Sequence, residues 1–141
     1  DYPMKDVPGE TKDHPHHRGL WFNHGDVNKV DYWMSDPLAR NDNGAKIAVR
    51  KIHSAKGGKK HGTIVADFDW TEPNGTVVLN ERRTMTFYSD PKNRTIDLDI
   101  ALKATRPVTF GDTKEGSFGI RLADELREQK GTGKMRNAEG K

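Results

Sequence analysis

The stretch Thr63-Ile64-Val65-Ala66-Asp67-Phe68-Asp69-Trp70 decides the fold class of this chain. Ile64, Ala66, Phe68 and Trp70 recur at every second position, with Asp67 and Asp69 between them. Successive side chains of a β-strand point to opposite faces, so a period of two marks a strand with one apolar and one polar face. The pattern extends to both sides. Ala45 to His53 sets Ala45, Ile47 and Val49 against charged neighbours, and Thr95 to Ala104 sets Ile96, Leu98, Ile100 and Leu102 against Asp97, Asp99 and Lys103. Thr76 to Tyr88 reads as a long strand, one face of which carries Val77, Leu79, Glu81, Arg83, Met85 and Phe87.

The connections are short and polar. Pro73-Asn74-Gly75 is a tight-turn signal, and Lys56-Gly57-Gly58-Lys59-Lys60 reads as a solvated hairpin tip rather than a phosphate-binding patch. Alternating strands joined in this way predict an antiparallel meander with one buried face. Glu81 and Arg83 interrupt that face. Burying an unpaired charge is costly, so they either pair with neighbours or line a cleft.

Outside the meander the signals are weaker. Residues 1–12 form an irregular lead-in, and Gly19 permits a turn into a short strand at Leu20-Trp21-Phe22. Asp26, Asn28 and Asp31 resemble part of a calcium loop. With no Gly at the sixth position and no Glu at the twelfth, they read as a turn built on Asx side chains. Residues 35–44 are loop by composition. Val108 to Phe110 is short, and Phe118, Ile120 and Leu122 alternate around Arg121. Ala123 to Gln129 is the one stretch expected to be helical. Gly131 to Lys141 has no apolar stripe and supplies no closing element, so the sheet reads as incomplete within this chain.

Composition bounds the function classes. Ile, Leu, Val and Phe make up under a fifth of the 141 residues, but 24 basic and 21 acidic residues nearly balance, which with the alternating segments favours a folded, polar β-protein over disorder. The basic residues are interleaved with acids, so no nucleic-acid footprint is expected. The absence of cysteine excludes disulfides and thiolate chemistry. No run approaches the ~18–20 apolar residues of a membrane span, so a soluble chain without a membrane partner is expected, of unassigned compartment.

The chemistry concentrates at Asp13-His14-Pro15-His16-His17-Arg18-Gly19-Leu20-Trp21-Phe22-Asn23-His24-Gly25-Asp26, which holds four of the six histidines. Histidine titrates near neutrality, so such a segment suits proton exchange or metal binding. Pro15 biases His14 towards an extended conformation, which would set His14 with His16 and leave His17 opposed. Three readings remain open. In the first, His14, His16 and His17 perform acid–base chemistry, with Glu115 as carboxylate partner and Arg18 as a clamp for an anionic or hydroxyl-rich ligand. Trp21 and Tyr32 would then offer a flat surface for a sugar ring. In the second, His14, His16, His17, His24 and Asp26 hold zinc or iron, although their spacing matches no common signature. In the third, the histidines are structural loop residues.

The histidine segment, continued by Val27-Asn28 and Val30-Asp31-Tyr32-Trp33, resembles the hallmark of an uncharacterised bacterial family that bears the name "methane oxygenase PmoA". Asp112-Thr113-Lys114-Glu115-Gly116, Arg121-Leu122-Ala123 and Asn137-Ala138-Glu139-Gly140-Lys141 resemble further motifs of that family. The resemblance covers nearly the whole chain. It implies a β-supersandwich like that of galactose mutarotase, of which residues 1–141 would be the central part of a longer domain. It does not imply membrane methane oxidation, because this chain lacks the apolar spans of that subunit. By the mutarotase analogy one of His14, His16 and His17 would be the acid and Glu115 the base. Arg18, Trp21, His24, Asp26 and Arg121 would contact the substrate. The resulting expectation is an all-β, antiparallel protein that binds or acts on a small-molecule or oligosaccharide ligand without a cofactor. The alternatives are a zinc- or iron-dependent enzyme and a non-catalytic sugar-binding module.

Overall fold

A computed structural model of the chain describes residues 2–34, 43–128 and 133–141. Most of the loop expected at 35–44, the last residue of the expected helix and the first two of the tail lie outside the described residues. The elements are β1 (Leu20–His24), β2 (Lys46–Lys56), β3 (His61–Thr71), β4 (Val77–Tyr88), β5 (Ile96–Ala104), β6 (Gly116–Ile120) and a 3-10 turn at Asp124–Leu126. The fold is all-β, with antiparallel sheets that do not close into a barrel. The chain divides into two compact units, Asp1–Asn23 with Gly116–Lys141, and His24–Glu115.

The second unit contains the meander in the expected order, β2-β3-β4-β5, each strand antiparallel to the next. The turn at 73–75 closes with Gly75 N–H donating to Glu72 O (2.9 Å), and Gly75 takes a φ of +87°, which a residue with a side chain rarely adopts. Val27, Tyr32, Ala45, Ala66, Trp70, Val78 and Leu79 form the core, with the Tyr32 and Trp70 rings 5.2 Å apart.

Glu81 and Arg83 pair. Glu81 is 1% exposed, and its carboxylate accepts Trp70 Nε1–H (2.8 Å) and Arg83 Nε–H (2.6 Å). The Arg83 guanidinium lies 4.5 Å above the Phe68 ring centroid. Two donors on one face thus satisfy a carboxylate that the apolar surroundings would otherwise reject, and the Phe68 ring faces the guanidinium.

The opposite face departs from simple alternation. Asp67, expected to face solvent, is 5% exposed. Its carboxylate accepts Arg82 Nε–H and Arg50 Nη2–H, both at 2.9 Å, and lies 2.7 Å from His53 Nε2. The reason is in β2. Its register against β3 shifts between Val49 and Lys51 and again between Ile52 and Ser54, leaving Arg50 and His53 as the two extra residues. A bulge re-aims a side chain, and both bulged side chains turn onto Asp67. Val49 and Ile52 pair with Phe68 and Ala66 on the apolar face, yet on this edge strand both remain exposed, where alternation had placed Val49 inward.

In the first unit β1 pairs with β6. The helix expected at 123–129 is replaced by the 3-10 turn, whose cap at Ala123 provides no side-chain hydrogen bond. The Asp124 carboxylate instead accepts the Thr11 N–H (3.1 Å) and hydroxyl (3.3 Å), and Arg127 Nη1 donates to Thr11 Oγ1 and to Asp124. These long-range contacts outweigh the propensity of a segment too short to sustain a helix.

Two outcomes test this account. Glu81→Ala should destabilise the meander by about 3–5 kcal/mol, because it leaves the largely enclosed Arg83 guanidinium unpaired, whereas a Glu81→Leu, Arg83→Leu double variant should recover most of the loss. Denaturant unfolding with amide exchange in β3 and β4 measures both. For Asp67, the Arg82 guanidinium and then His53 hold the carboxyl well below its ordinary 3.8. Its stabilising contribution is therefore present above that pH and lost as the pH falls below it. Acid unfolding of Asp67→Asn should lack that component.

Candidate functional site

Residues 14–17 form a turn closed by His17 N–H donating to His14 O (2.9 Å). His14 takes a φ of +41°, in the left-handed region that histidine tolerates better than most residues. The expected grouping of His14 with His16, and of His17 apart, is reversed by this turn. The His14 and His17 rings stack, with centroids 4.9 Å apart and planes 8° from parallel. His16 stands edge-on to them, at 5.6 Å from His14 and 4.5 Å from His17.

The stack continues onto β1, where His17 lies 4.5 Å from the Trp21 ring at an interplanar angle of 17°. The indole also lies against β6 at Gly119, where an added β-carbon would come within 2.3 Å of the ring. Trp21 therefore offers one of its faces to an imidazole rather than to a sugar. Tyr32, the other expected platform, is fully buried in the second unit, and burial raises its hydroxyl pKa to about 12.

Arg121 follows β6, and its N–H donates to Gly19 O (2.7 Å). Its guanidinium donates to the Asp13 carboxylate (2.9 Å) and the Asp13 carbonyl (3.2 Å). The other Asp13 oxygen lies 3.5 Å from His14 Nδ1. A cavity of about 270 Å³ opens among these groups, lined by Asp13, His14, His17, Trp21, Arg121, Asp124 and Arg127 on its polar side and by Ile120, Leu122, Leu126 and Met135 on its apolar side.

Burial first, and then the nearby His16, His14 and Arg121, push the His17 pKa below its ordinary 6.5, with Asp13 opposing. At neutral pH His17 is a neutral imidazole able to accept a proton. For Asp13, burial works against the charge, but the Arg121 guanidinium outweighs it and lowers the carboxyl pKa.

Of the residues singled out by sequence, His14, His17, Trp21 and Arg121 share this cavity, and His16 packs against its rings from outside the lining. Arg18, the expected clamp, donates Nε–H to Pro15 O (2.9 Å) and does not line the cavity. His24, Asp26 and Glu115 belong to the second unit. There His24 Nδ1 accepts Asp26 N–H (3.1 Å), and its ring meets Phe110 edge-on at 5.3 Å. Asp26 caps the turn by accepting Lys29 N–H (2.9 Å), as an Asx turn does. Glu115 lies 3.2 Å from Lys114 Nζ, and its carbonyl accepts Gly25 N–H. Sequence reading missed Asp13, Asp124 and Arg127 as cavity residues and Gly119 as the support of Trp21. The spacing of Gly119 within an alternating strand was the one available signal.

Among the described residues no three His, Asp or Glu side chains are disposed to hold a metal ion, which leaves the zinc or iron alternative without a ligand set there. No helix of the described residues is long and apolar enough to cross a membrane.

A family model matches residues 5–141. The chain belongs to the family of unknown function DUF6807. That match replaces the resemblance to the methane oxygenase family, for which the comparisons give no support. No curated protein and no solved structure matches this DUF6807 chain.

The environment of His17 gives a direct check. Its ring should titrate below pH 6.5 by NMR, and His16→Ala should move that value upwards by removing a positive neighbour. Because the folded value lies below the unfolded one, stability from neutral His17 is present above about pH 6.5 and lost as the pH falls through it. A His17→Gln variant should show a flatter stability profile between pH 7 and 5.

Proposed function

We propose that the cavity of the first unit binds a carbohydrate or carbohydrate-derived ligand and transfers a proton on it, with His17 as acceptor and His14 as donor. The observation that carries this reading is the stacking of His17 between His14 and Trp21 at the wall of a cavity that also holds Asp13 and Arg121, where burial lowers its pKa. A general base is most effective when its pKa lies near the working pH, so a histidine held neutral at pH 7 suits the role. Asp13, 3.5 Å from His14 Nδ1, orients the donor.

The lining supports a ligand that is polar on its rim and apolar on its face. Sugar hydroxyls match the imidazoles, guanidinium and carboxylate, while ring C–H groups match Leu122, Ile120 and Trp21. A volume of about 270 Å³ lies at the lower end of small-molecule sites, typically about 300–1,000 Å³, and suits one sugar ring better than a long oligosaccharide. The reading uses only residues of the first unit.

The test is titration of the chain with a panel of neutral and acidic monosaccharides, followed by the ring resonances of His14 and His17 and by product analysis. Binding should shift both rings, and His17→Asn should cut turnover by about 10²-fold or more while the fold is kept. Turnover should rise with pH through the low pKa of His17. Saturable binding without any product would make the domain a sugar-binding module. Unmoved rings across the panel would remove the carbohydrate reading altogether.

A further inference from the structure

The polar face of the meander holds a second arrangement of charged groups, independent of the histidine cavity. Asp67 on β3 is nearly buried, and its four closest polar contacts come from Arg82, Arg50 and His53. A carboxylate only accepts, so His53 Nε2 carries the hydrogen that faces it. Arg82 grips Asp67 through two nitrogens, Nε at 2.9 Å and Nη2 at 3.3 Å. Arg50 is held by two carboxylates, with Nη2 2.9 Å from Asp67 and Nε 3.1 Å from Asp69. Asn80 Nδ2 donates to Asp69 at 2.7 Å, completing the framework.

These contacts leave the outer edges of both guanidiniums free. Among the described residues, Nη1 of Arg50 and Nη1 of Arg82 meet no acceptor, and the two side chains remain 49% and 57% exposed. Lys103, which pairs with Asn80 across β4 and β5, has no carboxylate partner among the described residues. Arg50, Arg82, Lys103 and Asn80 line a cavity of about 340 Å³ above Asp67 and Ala101. Glu81 also lines the cavity, but its charge is met by Arg83. Arg50, Arg82 and Lys103 then stand against Asp67 and Asp69, which leaves one positive charge in excess. Asp99, opposite Thr84, lies two pairs beyond Ala101 along β5 and does not line the cavity.

A surface ion network formed by chance would not place its members this way. Arg50 and His53 are the two residues inserted into β2 by its register shifts, and both serve Asp67. Bulges that re-aim side chains occur preferentially beside functional sites. A buried carboxylate that locks arginine forks in place removes the entropy a ligand would otherwise have to overcome.

We propose that Arg50, Arg82, Lys103 and Asn80 form an oxyanion-binding site on the four-stranded sheet, with Asp67 as the group that orients the arginines. The ligand chemistry is a carboxylate, sulfate or phosphate group, carried by a small molecule or attached to a sugar.

The test follows the side-chain Nε–H resonances of Arg50 and Arg82 in the whole chain during titration with inorganic sulfate, inorganic phosphate and glucuronate. At least one should give saturable shifts of both arginines. A preference for glucuronate would assign a sugar carboxylate, and a preference for sulfate or phosphate would assign a tetrahedral oxyanion. Lys103→Gln, at an exposed position that leaves the Asp67 framework intact, should weaken binding about tenfold, the scale of one charge-assisted hydrogen bond. Lys59→Gln, Lys60→Gln at the hairpin tip should leave it unchanged. Arginine resonances unmoved by all three anions would overturn the proposal. So would Lys103→Gln and Arg82→Gln variants that bind like the parent, or loss of binding in the hairpin variant.

Discussion

The Glu81 carboxylate is the constraint on which the meander depends. It is buried, and the indole N–H of Trp70 and the guanidinium of Arg83 both converge on it. Those three residues lie on β3 and β4, in a register that pairs Trp70 with Leu79, Phe68 with Glu81 and Ala66 with Arg83. A slip of one residue would turn Glu81 to the opposite face, away from Trp70. Apolar burial alone would penalise the slip less sharply in a chain so poor in large aliphatic residues. A buried charge makes the wrong register expensive because it cannot be left unpaired.

Once that register is set, the other face follows by parity. Pairing Phe68 with Glu81 places Asp67 opposite Arg82 and Asp69 opposite Asn80. Asp67 then meets Arg82 without further adjustment, but regular alternation along β2 would not bring two more partners to it. The two register shifts in β2 do so. The sheet thus has a carboxylate at the centre of each face. Glu81 is enclosed by an apolar side and closed to solvent. Asp67 is ringed by half-exposed arginines whose outer edges stay open.

The meander was legible because a period of two and short polar turns survive in any strand with distinct faces. The two outcomes allowed for Glu81 and Arg83 were also legible, since cost arguments need no coordinates. The burial of Asp67 was not. A single inserted residue at Arg50 or His53 reverses which face follows without altering the composition of the segment, so periodicity cannot reveal it. The 3-10 turn at Asp124–Leu126 escaped for a different reason, since its side chains are committed to Thr11, more than a hundred residues away in sequence. The histidine segment was conspicuous in the sequence. Which rings would face a cavity depended on the turn closed at His14 and His17, where a left-handed residue before proline replaced the expected extended one.

The first unit is built on a different principle from the second. None of its described residues is fully buried, whereas the core residues all lie within His24–Glu115. Its order comes from polar ties, in which Arg121 holds Asp13 and Gly19 while Asp124 and Arg127 hold Thr11. Regions with few buried apolar contacts open at lower free energy than packed cores. A ligand seated among Asp13, His14, His17 and Arg121 would bridge the same segments that these ties connect, and would stabilise them in proportion to its binding. The residues that shape the cavity are also those that hold the unit together, so any ligand seated there would couple its binding to local order in this unit.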